Sequence, residues 1–192
     1  LLDDGLMARM KAAGMVAVMQ PEFLARLGDA YVLGLGEERA ARLNPVASLM
    51  AAGVPVAFSS DCPVVPGPPL DGIRAAAVRR APSGRVLGAH ERVEPVVAID
   101  AYTRGAAYAT FDEAVTGVIR VGMRADFAVL SSMPAPPVPE LAEGTVGVSV
   151  PESVPASVPE LAEGTTESSR TECRVVATIA GGHIVYGADN LS

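Results

Sequence analysis

GVPVAFSSDCPVVPGPPL, residues 53–70, is the stretch whose reading decides the fold. A glycine opens it, an apolar run occupies 54–58, and Ser59, Ser60 and Asp61 follow without a break. A short continuous apolar run of this kind is a strand buried in a parallel sheet, and here it delivers a carboxylate into a loop. Pro63, Pro66, Pro68 and Pro69, with Gly67 among them, stiffen the backbone beyond Asp61 and exclude regular structure there. Two readings of Asp61 stand side by side: a carboxylate that carries chemistry, or a cap on a turn or on the next helix.

Upstream, residues 1–14 read as a helix with Asp3 or Asp4 as N-cap, Leu6, Met7 and Met10 on one face, and Gly14 as its stop. The apolar run 15–19, closed by Gln20 and Pro21, is a strand buried on both faces. Residues 21–36, carrying Phe23, Asp29 and Tyr31, read as a long loop suited to a substrate wall. Residues 37–52 are helical but interrupted at Asn44 and Pro45, with Asn44 as cap and Pro45 as the first residue of the restart. Apolar strands separated by helices mark an α/β fold with parallel strands, whose active sites lie at the carboxyl ends of those strands. Asp61 occupies such an end.

Downstream, residues 71–80 form a helix with Ile73, Ala76 and Ala77 inward, and Arg79 and Arg80 at a solvated end where positive charge suits the helix dipole. Residues 81–92 are a polar loop, and 94–110 two short helices broken near Thr103, which caps the second. From Thr116 the pattern turns to strands, with Gly117 and Gly122 at turns and an apolar run at 127–130. Residues 175–180 and 184–186 flank Gly181 and Gly182 as a hairpin. Between these strands, residues 131–172 are rich in Pro, Ser, Val and Glu. They contain a duplication, VPELAEGT beginning at Val138 and again at Val158. Such a segment reads as a disordered, repeat-containing insertion with no chemistry of its own.

The 192 residues are 49% hydrophobic, enough for a substantial core. A formal net charge of −7 with 15 scattered Lys and Arg residues excludes a nucleic-acid partner, which requires a basic stripe. No run approaches the ~18 apolar residues of a membrane span, and the reading is a cytoplasmic chain with no membrane partner. Leu1, in place of an initiating methionine, points to sequence preceding it. Cys62 and Cys173 have no second Cys or His at metal-ligand spacing, so neither a disulfide framework nor a zinc knuckle is indicated, and Cys62 reads as a small buried hydrophobe. Ser59 or Ser60 as a hydrolase nucleophile lacks the GxSxG turn and a histidine partner.

Several separated motifs agree in order. Gln20–Pro21 after a strand, GVPVAFSSDCPV, PLDGIRAAAVRR, AYTRGAAYAT, GVIRVGMRADFAVL and VVATIAGGHIVYG together resemble the C-terminal part of amidohydrolase family 3, a branch of the metal-dependent amidohydrolase superfamily. The resemblance covers nearly everything outside residues 131–172. It implies an α/β chain comprising the last two strands of a (β/α)8 barrel, within residues 1–115, and part of a small β-sandwich at 116–130 and 173–188. On this comparison 15–19 and 54–58 are the seventh and eighth barrel strands. It further implies hydrolysis of carbon–nitrogen bonds of non-peptide, amide type, a divalent metal, usually zinc, and a small amide-type substrate. Asp61 falls where the family places a metal ligand that also shuttles the proton of the attacking water. Asp126 in GMRAD becomes a structural, turn-stabilising residue, and His90 and His183 lie outside ligand positions.

The family also requires an HxH pair from the first strand, a middle ligand, and single histidines from the fifth and sixth strands, for which this sequence has no counterparts. A catalytic zinc takes about three protein ligands, and two strands do not close a barrel. The expectation is therefore a C-terminal fragment, inactive alone, whose partner is the missing N-terminal part or a complementary chain. Val16, Val18, Val56 and Phe58 would lack sheet neighbours, so the isolated chain is expected to associate. The alternative is a non-catalytic subunit or interaction module that retains a remnant of the fold.

Overall fold

Residues 1–134 and 173–186 are described by a computed structural model, the last three by their backbone alone. The expected insertion lies outside the described residues from 135 to 172. Helix α1 (Asp4–Ala12) is capped by Asp3, whose carboxylate accepts from the Leu6 N–H at 2.8 Å. Strand β1 (Ala17–Met19) follows, then α2 (Glu22–Leu35), α3 (Glu37–Ala41), α4 (Val46–Ala51) and β2 (Val56–Phe58). The two strands pair in parallel, Ala17 with Val56, Val18 with Ala57 and Met19 with Phe58. A parallel pair needs a long crossover, and α2 to α4 supply it. Helix α5 (Pro69–Val78) completes this part with proline in its first turn.

The core lies where α1, α4, α5 and α6 (Pro95–Asp100) meet the strand pair, around Met7, Leu49, Phe58, Ile73, Ala76 and Ala98. All of β2 is buried. β1 departs from the expected two-sided burial: Ala17 is covered, whereas Val18 is 48% exposed and Met15 51%. Among the described residues β1 and β2 pair only with each other, so the outer side of β1 has no sheet neighbour to cover it. Leu6, placed inward by its spacing, is also exposed.

The expected loop at 21–36 is instead mostly helix α2. Pro21 at its entry forfeits nothing, since first-turn N–H groups have no intrahelical acceptor. Gly28, within the segment read as a loop, is a packing residue. A Cβ there would stand 2.7 Å from the Ala81 Cβ and 3.0 Å from Leu87 Cδ1, so its absence lets α2 close onto the segment after α5. Leu24, Ala81 and Leu87 form a second buried cluster at that contact. At 44–45 the restart is shifted by one residue: Asn44 is left-handed at φ 48° and Pro45 is the residue before α4. Pro45 offers no side-chain cap, and buried Glu91 caps α4 from a distance. Its carboxylate accepts from the Ser48 N–H at 2.9 Å and from the Ser48 hydroxyl.

The break expected near Thr103 is a π-helical turn, Ala101–Gly105, joining α6 continuously to α7 (Ala106–Ala109). Thr103 does not cap; its hydroxyl donates back to the Ile99 carbonyl at 2.8 Å. A Cβ on Gly105 would lie 2.4 Å from the Val56 carbonyl oxygen, so only glycine lets this helix rest on β2. Beyond it, β3 (Phe127–Leu130), β4 (Val175–Ala180) and β5 (His183–Tyr186) form an antiparallel sheet in that order. Gly181 and Gly182, both at positive φ, make the two-residue turn between β4 and β5.

Arg79 overturns the expectation of a solvated helix end. It is 1% exposed and left-handed at φ 54°. Its guanidinium donates to three backbone carbonyls: Leu87 at 2.7 Å, Asn44 at 2.9 Å and Leu43 at 2.7 Å. Burial pushes its pKa down to about 10, with Glu91 opposing, and it stays charged at neutral pH. This fork ties the α3–α4 junction and the 81–88 loop to the end of α5. Arg79→Met is expected to lower stability by about 3 kcal/mol, because it orphans buried carbonyls. Arg79→Lys should recover only part, lacking the planar fork. Urea unfolding checks this, and unchanged midpoints for both variants would refute the tie.

Candidate functional site

Because β1 and β2 run parallel and in register, their carboxyl ends finish level. The Ser59 N–H donates to the Met19 carbonyl at 2.9 Å, continuing the ladder one step past the strands. Gln20 leaves β1 beside it, and its side-chain amide donates to the Ser59 hydroxyl at 3.1 Å and to the Val18 carbonyl at 3.4 Å. The Ser60 hydroxyl accepts from the Cys62 N–H at 3.3 Å, and the Asp61 carbonyl accepts from the Val64 N–H at 2.9 Å. Both serine hydroxyls thus help to shape the turn.

Asp61 stands at the apex of this turn, exposed and left-handed at φ 56°. Asp tolerates that conformation better than most residues, though at a cost. Val65, 3% exposed, anchors the far side of the loop. The arrangement presents one carboxylate to solvent at the carboxyl end of a parallel strand. Cys62 beside it is an exposed free thiol, which corrects the expectation of a buried one. The proline-rich loop around it holds only Val65 inward, so the thiol has no core to enter.

The other sequence candidates fall elsewhere. Asp126 accepts from the Gly181 N–H at 2.7 Å and pairs with Arg124 at 3.2 Å, a turn-stabilising role as expected. His90 is exposed, 3.6 Å from Glu91, and His183 opens β5, also exposed. Among the described residues no group of three or more His, Cys, Asp and Glu is placed to hold a metal ion. A catalytic zinc takes about three protein ligands. Asp61 does not complete such a centre with the described residues.

A second polar group, missed from the sequence, lies under the strand ends. Phe58, the last residue of β2, meets Tyr102 edge-on, with ring centroids 5.4 Å apart at 82°. Burial pushes the Tyr102 hydroxyl up to about 12, and the charges of Glu22 and Asp71 add to the shift. Glu22 is 1% exposed and pairs with Arg26 at 2.9 Å, and Arg26 reaches Asp71 at 3.5 Å. The signal was present as an i,i+4 Glu–Arg pair in EFLAR, directly after Gln20–Pro21. Reading that segment as a loop concealed it.

The sequence model of the amidohydrolase family matches residues 1–186. A Bacillus subtilis (strain 168) protein named as an amidohydrolase, YtcJ, is 31% identical over 137 residues, which cover 70% of this chain and 26% of that protein. The N-substituted formamide deformylase of Arthrobacter pascens is 30% identical, covering 70% of this chain and 25% of its own length. The crystal structure of an uncharacterized metal-dependent hydrolase from Pyrococcus furiosus superposes with a TM-score of 0.55 at 30% identity, over 65% of this chain and 25% of that one. The chain spans about a quarter of the length of the proteins it matches. No helix among the described residues is long and apolar enough to cross a membrane.

Tyr102 gives the site a pH signature. Its folded pKa lies above the unfolded value of 10.0, so its contribution to stability is complete below pH 10. It is then lost as pH rises through about 12, because the unfolded chain ionises first. Tyr31 shifts in the same direction. Tyr102→Phe should flatten this alkaline fall in an unfolding series from pH 9 to 12, and an unchanged slope would contradict the assignment.

Proposed function

Because this chain belongs to the amidohydrolase family, we propose that it forms part of a metal-dependent hydrolase acting on carbon–nitrogen bonds of non-peptide, amide type. The observation that carries the reading is Asp61 at the carboxyl end of β2, level with the end of β1. In parallel α/β folds that end of the sheet is where ligands and substrates bind. We read β1 and β2 as the last two strands of a barrel within residues 1–115. The sheet β3–β5 is then part of a small β-sandwich drawn from residues 116–130 and 173–188. The metal-dependent neighbour and the family support a divalent metal, and zinc is the proposed ion.

Asp61 is proposed as one ligand of that metal, with the remaining ligands supplied from outside this chain. A bound divalent metal supplies a water acidic enough to be deprotonated near neutral pH. The part this chain plays is at the Asp61 carboxylate, which accepts that proton and returns it to the departing amine. Gln20 and Ser59 position it by fixing the turn against the end of β1. The exposed thiol of Cys62 and the hydroxyls of Ser59 and Ser60 have no part in this chemistry. The substrate is a small amide-type molecule, the partner is the polypeptide that carries the other ligands, and the compartment is the cytoplasm.

The reading frame upstream of Leu1 supplies the test. An in-frame extension that encodes an HxH pair and two later histidines should give a product that hydrolyses simple formamides or amides with added zinc or manganese. Asp61→Ala in that product should lower kcat/KM by at least about a thousandfold. The 192-residue chain alone should show no metal-dependent turnover. Turnover by the isolated chain that Asp61→Ala abolishes would contradict the composite site. Full activity of the Asp61→Ala extended product would remove Asp61 from the chemistry.

A further inference from the structure

Helices α1 and α4 leave an open groove of about 820 Å³ between them. Asp4, Met7, Ala8 and Lys11 line it from α1, and Ser48 and Ala51 from α4. Met7 is 5% exposed and belongs to the core, whereas Ala8 and Ala51 are open to solvent. Small side chains on both walls leave room for a further helix to settle between the two ridges. Asp61 does not line the groove, which is separate from the candidate site.

The charges of the groove have an order. Asp4 and Lys11 stand two turns apart, about 10.5 Å along the axis, on one face of α1. Among the described residues neither side chain has a hydrogen-bond or ion-pair partner. Lys11 reaches across toward the end of α4, since a Cβ on Gly53 would stand 2.8 Å from its Nζ. The groove therefore has a negative end, a positive end and a nearly apolar middle. A matching occupant carries the opposite charges in reverse order at the same spacing, on a face of small side chains. Helix α1 itself, turned end for end, has those features. Asp4 of a second copy then falls opposite Lys11, Lys11 of that copy opposite Asp4, and Ala8 of each lies near the axis between them.

We propose that two copies of this chain associate through a two-fold interface in which α1 of each lies antiparallel in the α1–α4 groove of the other. Two-fold symmetry repeats every contact, so the Asp4–Lys11 match is made twice. The contact rests on helices of 9 and 6 residues, less than the roughly 800 Å² per partner of a standard interface, and the dimer is weak and reversible. It does not use the unpaired edge of β1, and charge distinguishes the two modes of association.

Sedimentation equilibrium of the full chain, up to about 1 mM, reads the association. A monomer–dimer equilibrium is expected that weakens between about 0.05 M and about 0.5 M salt, as screening shortens. Lys11→Glu and Asp4→Lys each set like charges opposite one another twice and should weaken the dimer at least about tenfold. An equimolar mixture of those two variants restores both opposite-charge pairs and should associate at least as tightly as the parent. Circular dichroism confirms that each variant is folded. Lys11 is the only lysine in the chain, which permits a second measurement on unaltered protein. Zero-length carbodiimide coupling of mixed isotope-labelled and unlabelled chains should join Asp4 of one copy to Lys11 of another. A chain that stays monomeric throughout would overturn the proposal. So would association indifferent to salt and to both variants, which would assign it to the strand edges, or a mixture no tighter than its components. Should either variant fail to fold, the salt series and the Asp4–Lys11 cross-link decide, and absence of that cross-link from the associated chain would contradict the interface.

Discussion

The parallel, in-register pairing of β1 with β2 is the constraint on which the rest depends. Parallel strands cannot be joined by a tight turn, so α2, α3 and α4 must carry the chain back to the start of β2. Once they do, both strands end on the same edge, and Gln20 and Ser59 meet there by hydrogen bond. A slip of one residue would send the buried side chains of β2 to the opposite face and move Asp61 off that edge. Burial of Val56, Ala57 and Phe58 opposes such a slip. Gly105 and the π-helical turn hold it from the other side, because the helix backbone rests on the Val56 carbonyl.

Two buried charged groups connect the crossover helices to the elements after β2, and each does so through hydrogen bonds that solvent cannot replace. Arg79 serves the consecutive carbonyls of Leu43 and Asn44 in the α3–α4 junction, and that of Leu87. Glu91 caps α4, whose own N-cap position is a proline. Removing one partner of such a group leaves the others buried and unserved, and so costs more than the bond itself. Buried Glu22 differs from both, since one of its oxygens has no hydrogen-bond donor among the described residues.

Residues 53–70 were the most legible part of the sequence. An all-apolar run ending on Ser-Ser-Asp and then prolines leaves little freedom, and β2 and the exposed turn at Asp61 appear where that pattern puts them. The hairpin turn at Gly181 and Gly182 was equally plain, because a two-residue turn of positive φ needs such residues. Helix α2 was not: residues 21–36 read as a loop, and the reason Gly28 stands inside that helix is a contact with Ala81, far along the chain. Arg79 and Glu22 failed for a related reason. The charge of Arg79 at a helix end was read as solvated, and Glu22 lay in a segment read as a loop; only tertiary placement shows that both are enclosed. Cys62 went the other way: hydrophobic by type, it is exposed by the stiff loop in which it sits. For the candidate site, the place of Asp61 just past the end of β2 was legible, whereas a metal centre around it was not, since no group of three or more His, Cys, Asp and Glu is placed to hold a metal ion among the described residues.

The central claim is that Asp61 is one ligand of a centre completed from outside this chain. Metal content of the purified chain, by inductively coupled plasma mass spectrometry after dialysis against zinc and then metal-free buffer, tests it most directly. The account predicts far less than one zinc per chain, unchanged by Asp61→Ala. One tightly held zinc per chain, lost on Asp61→Ala, would contradict it.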